Sequence, residues 1–86
     1  MLDSTFFGSS LKETSYSLIV TYHDDNKIFR YNYFTYEEAL DEYIDKCQDK
    51  ARLIAVLGSG EVTIILRDNS DDKVVRYQNI KSETNL

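Results

Sequence analysis

Residues 35–57, TYEEALDEYIDKCQDKARLIAVL, decide the architecture of this chain, because the first part reads as helix and the last six residues read two ways. Thr35 has the side chain of a helix N-cap, and Glu38 three residues on completes a T-x-x-E capping box. Phe34, just before the cap, is placed to pack on Ala39 as a hydrophobic staple. Beyond the cap, Tyr36, Leu40, Tyr43, Ile44, Cys47 and Ala51 recur at three- and four-residue spacing, which is the pattern of one apolar stripe laid on a sheet. The end of the stretch, RLIAVL at 52–57, is a short apolar run that suits either the last turns of that helix or a buried strand. Its Val and Ile, with GSG following at 58–60, favour a strand.

Upstream of the helix, Tyr16, Leu18, Val20 and Tyr22 alternate with Ser17, Ile19 and Thr21, so residues 15–22 read as a half-buried strand. HDDN at 23–26 supplies turn chemistry, and KIFRYNYF at 27–34 places Phe29, Tyr31 and Tyr33 on one face of a second strand. Downstream, EVTIILR at 61–67 and KVVRYQ at 73–78 read as strands joined by DNSDD. The expected order is ββαβββ: a two-layer α+β domain over residues 15–80, with an antiparallel sheet of about five strands and one amphipathic helix on one face. Residues 1–14 read as an arm and 81–86 as a fraying tail. In that order the two hairpin loops fall at the same end, which would gather His23, Asp24, Asp25, Asp68, Asp71 and Asp72 along one edge.

With 86 residues the chain suffices for one domain that buries roughly 60 to 65% of its unfolded surface. Its single cysteine, Cys47, cannot form an internal disulfide, and the opening MLDSTFFGSS lacks the basic region and long apolar run of a secretory signal. The expectation is therefore a cytoplasmic protein with no membrane role. A net charge of -5 disfavours direct binding to nucleic acid and favours a basic partner.

The helix concentrates that charge. Glu37, Asp41, Asp45 and Asp49 stand at every fourth position, about 6 Å apart along the axis and spread over about 18 Å. Glu38 and Glu42 add a parallel pair. Like charges four residues apart cost a few tenths of a kcal/mol per pair, offset where Glu37, Glu38 and Asp41 meet the helix N-terminus and where Glu42 can pair with Lys46. Asp45 and Asp49 gain little from either. The row reads as solubilising charge or as a ridge that docks on a basic groove.

Seven Tyr and four Phe exceed the needs of a core this small, and Tyr31 and Tyr33 are further candidates for partner contact. His23 is the single histidine and has no evident nucleophile beside it, Cys47 falls inside the apolar stripe, and GSG joins two strands and opens no helix. No catalytic, cofactor or metal motif is present. The hairpin acids offer oxygen ligands for Ca²⁺, but without the Gly and closing Glu of a calcium-binding loop.

In size, charge and economy the chain is similar to small acidic α+β proteins with which viruses of bacteria block host defence, a likeness of class that carries no residues across. The leading expectation is a non-catalytic protein that docks on a basic, nucleic-acid-binding type of surface of a protein partner through Glu37, Glu38, Asp41, Glu42, Asp45, Asp49, Tyr31 and Tyr33, and so inhibits or regulates it. The alternatives are a homodimerising assembly module using the uncovered sheet face, and a small ligand or Ca²⁺ sensor at the hairpin loops.

Overall fold

The computed structural model describes residues 15–82. Along them run β1 (Tyr16–Tyr22), β2 (Lys27–Tyr33), α1 (Tyr36–Leu57), β3 (Glu61–Asp68) and β4 (Lys73–Lys81). The strands form one four-stranded antiparallel sheet in the order β2-β1-β3-β4, with α1 on one side. The α+β class is as expected, but the sheet has four strands and not five, and the order is ββαββ. The arm expected over 1–14 lies outside the described residues. At the other end β4 runs to Lys81 and the Ser82 N–H donates to the carbonyl of Gly60 at 3.1 Å, while residues 83–86 of the tail expected to fray lie outside the described residues.

The missing strand is RLIAVL. Residues 52–57 continue the helix, which therefore reaches 22 residues. No Gly or Pro separates this segment from the helix before it, and its Ala, Leu and Arg are good helix formers. The stop comes at Gly58, whose φ of 75° is the left-handed cap conformation and whose N–H bonds to Ile54 O at 2.8 Å. Thr35 caps the other end as expected, its hydroxyl accepting from the Glu38 N–H at 3.2 Å, an interaction worth about 1 kcal/mol. Phe34 is 63% exposed and does not serve as the staple.

Removing one strand reverses the direction of everything after the helix. β1 pairs antiparallel with both β2 and β3, so β2 and β3 run parallel with β1 between them. The loop at 23–26 lies at the helix C-terminal end, where the His23 N–H donates to Glu61 O at 3.1 Å. The loop at 69–72 lies at the opposite end, where the Asn69 N–H donates to Ser15 O at 2.8 Å. The six side chains expected along one edge are thus divided between the two ends. Among the described residues no group of His, Cys, Asp and Glu is placed to hold a metal ion, and the geometry behind a Ca²⁺ sensor is gone.

The core forms where α1 meets the two central strands. Leu18 and Val20 of β1, Val62, Ile64 and Leu66 of β3, and Ala39, Tyr43 and Ile54 of α1 are buried. Tyr16, Tyr22, Tyr33, Tyr36, Leu40, Cys47 and Ile80 close its rim. Val75, the extra residue of a bulge opposite Leu66 and Arg67, packs there too. The apolar stripe is centred on Tyr43, Cys47 and Ile54 and not on Ile44, which is 45% exposed, as Ala51 is also outside the core. No helix among the described residues is long and apolar enough to cross a membrane.

Two outcomes follow from this packing. Leu66→Ala removes a fully buried side chain and should cost about 2 to 5 kcal/mol, while Ile44→Ala, at a half-open position, should cost under about 1 kcal/mol. Equal losses for both in urea titrations would place the helix in the wrong rotation. Burial, with Cys47 adding, pushes the Tyr43 hydroxyl up to about 12 from its ordinary 10.0. The folded state therefore favours the neutral phenol, so its contribution to stability is full below pH 10.0 and is lost as pH rises toward about 12. Tyr43→Phe should flatten that alkaline decline in a thermal-unfolding series, and an unchanged decline would assign it to other groups.

Candidate functional site

The candidate surface begins with the outward side of α1. A step of four residues turns about 40° beyond a full rotation, so Glu37, Asp41, Asp45 and Asp49 wind slowly across the side opposite the sheet. All four are exposed, as is Glu38, while Glu42 is half-buried beside β2. The first turn carries Glu37 and Glu38, and the last turn has no basic residue, so Asp45 and Asp49 have no dipole support.

Lys46, expected to pair with Glu42, is turned the other way, and so is Lys50. Lys46 Nζ lies 4.6 Å from the centroid of the Tyr31 ring, and Lys50 Nζ lies 5.3 Å from that of Tyr22. Their stems pass over the flank of the core and their charges sit on aromatic faces, an arrangement worth about 0.5–1 kcal/mol where exposed. Lys50 is held above its ordinary pKa, first by a hydrogen bond to Tyr22. Asp49 meets Lys50 at 3.8 Å. Glu37, Glu38, Asp41, Glu42 and Asp45 make no salt bridge among the described residues, and the expected pairing of Glu42 with Lys46 does not form.

Tyr31 and Tyr33 therefore belong to the helix-covered side of the sheet. Tyr33 is half-buried at the core rim, its hydroxyl pKa raised first by burial and then by Glu42. Tyr31, 38% exposed, is the platform for Lys46. Tyr31 holds Lys46 on the flank away from the crest, and Tyr33 stands near Glu42 and Glu38 and apart from Asp45 and Asp49.

At its C-terminal end the crest runs into a feature that the strand reading of 52–57 concealed. Leu53, Val56 and Leu57 are 45%, 78% and 64% exposed. Leu53 and Leu57, with Tyr22, Ile54 and Val62, line an open groove of about 330 Å³ between the helix end and the β1–β2 hairpin, where Asp24, Asp25 and Glu61 also stand. Its floor is apolar and its acids carry no cation partner among the described residues. The three- and four-residue spacing of Leu53, Val56 and Leu57 was the available signal, visible only once 52–57 is read as helix.

The remaining chemically active side chains serve the fold. Cys47 is half-buried, and burial pushes its thiol above the ordinary value, only partly offset by a hydrogen bond with Tyr43, which makes it a poor nucleophile. His23 is exposed in its turn with Nε2 2.7 Å from Thr63 Oγ1, which also accepts from Asn79 Nδ2 at 2.9 Å. Ser17 lies fully buried on the sheet face away from α1, donating to Asn32 Oδ1 at 2.8 Å and accepting from Arg30 and Asn69. No family model matches the chain, and no curated protein or solved structure matches it.

Proposed function

We propose that this chain is a non-catalytic protein-docking domain, whose acid crest and adjoining acid-rimmed groove seat on a basic surface of a partner protein and thereby inhibit or regulate it. The observation that carries this reading is the inward turn of Lys46 and Lys50, which leaves Glu37, Asp41 and Asp45 without a cation partner along one line of the helix, with Asp49 reaching Lys50 only at 3.8 Å. A face that serves solubility alone gains from i,i+4 ion pairs; this one forgoes them. The line ends beside Leu53, Val56 and Leu57, so the surface offers charge for steering and apolar area for retention. A surface built to receive a phosphate backbone is basic along a line, and accepts a line of carboxylates by the same chemistry.

The test uses Asp45→Lys combined with Asp49→Lys. The double variant removes like-charge repulsion and places cations toward the helix C-terminus, so stability should be equal or higher by a few tenths of a kcal/mol per site. Affinity pull-downs with parent and variant as bait, at low and moderate salt, should show one set of proteins retained by the parent, weakened by salt, and lost with the variant. Retention of the same set by the variant would reduce the crest to solubilising charge.

A further inference from the structure

The sheet face opposite α1 is uncovered among the described residues, and its composition reads as one half of a symmetric interface. We infer that two copies of this chain pack face to face through it, giving a four-layer helix–sheet–sheet–helix dimer. Cross-strand register sets Arg30, Ile19, Ile65 and Tyr77 in one row across the four strands. Their neighbours Leu18, Val20, Ile64 and Leu66 point into the core, so the row points outward. A two-fold axis parallel to the strands, between β1 and β3, lays this row on its own reverse. Ile19 then meets the second copy's Ile65, and each Arg30 guanidinium meets the ring of the other copy's Tyr77.

Tyr77 is 60% exposed, with Val74 on the same strand at 54% and Ile28 on the opposite edge strand at 67%, so the face has apolar side chains to bury. Arg30 is already fixed on this face, Nε and Nη2 donating to Ser17 Oγ at 3.2 and 3.0 Å, which places it to stack on an incoming ring. Arg67, the cation of central strand β3, is neutralised by Asp72. Polar side chains on either side of the apolar row, Asn32 with Ser17 and Asn79 with Thr63, are hydrogen-bonded within the face, so covering them strands few groups. A residual charge this small suits a second copy better than a nucleic acid or a strongly acidic partner.

Four strands about 4.8 Å apart and about eight residues long at about 3.3 Å each present roughly 500 Å² per copy, or roughly 1,000 Å² in the pair. That is the lower bound for a specific interface and implies a weak dimer, in the micromolar range. The acid crest lies on the outer layers of such a dimer, so the inference is independent of the docking proposal.

Sedimentation equilibrium of the full chain from about 1 to 500 µM tests it. The weight-average mass should climb from 10.0 kDa toward twice that value. Tyr77→Arg sets two cations against each other and should weaken association at least tenfold, and Ile28→Asp, at a well-exposed site, should weaken it independently. Tyr77→Arg combined with Arg30→Glu restores an opposite-charge pair and should recover most of the loss. Thermal unfolding of each variant checks that the fold persists. A parent chain that stays monomeric throughout, a Tyr77→Arg variant that dimerises like the parent, or a double variant no better than the single would each overturn the inference.

Discussion

The seam between α1 and the paired central strands is the contact on which the rest of the molecule depends. Leu18 and Val20 on β1, and Ile64 and Leu66 on β3, present a buried apolar floor, and Ala39, Tyr43 and Ile54 are the helix residues buried against it. Ala39 and Ile54 are fifteen positions apart, roughly 22 Å along a helix, which matches the length of β1 and β3. A helix ending at Lys50 would leave the Val62 end of the sheet uncovered. The extension through Leu57 is therefore what completes the core, and Gly58 in its left-handed conformation is what lets the chain turn back into β3.

Much of this was legible. The cap at Thr35, the β1–β2 hairpin and strands β3 and β4 follow from side-chain alternation and turn residues, and each stands close to its expected place. Residues 52–57 did not yield because six apolar residues carry too little periodicity to separate helix from strand, and Val and Ile pull toward strand. The consequence spread well beyond those six residues. A chain that enters β3 straight from the helix travels in the opposite direction, so the hairpin acids expected along one edge part to the two ends. Tyr31 and Tyr33 were correctly assigned a common face. Which face the helix covers is set by packing, and that packing made Tyr31 the seat of Lys46 and placed Tyr33 at the core rim.

Charge is segregated more sharply than the net value of -5 suggests. β2 and β4, the two edge strands, carry Lys27, Arg30, Lys73, Arg76 and Lys81 and no acid, while the hairpin turns and the helix crest carry most of the acids. Cations on exposed edges discourage edge-to-edge strand pairing. The acid crest lies on the other side of the domain, on the outward face of α1. One thin domain thus presents two chemically distinct surfaces, an acidic helix layer and an apolar, polar-rimmed sheet layer, and the same backbone choice at residues 52–57 determines both.

That choice can be measured directly by backbone NMR of the full chain. The account predicts helical Cα shifts and slowed amide exchange without interruption from Glu38 to Leu57, with cross-strand contacts joining Ile19 to Ile65 and Ile65 to Tyr77. Extended-strand shifts over residues 53–56, or cross-strand contacts from those residues to β1, would contradict it, and with it the placement of both surfaces.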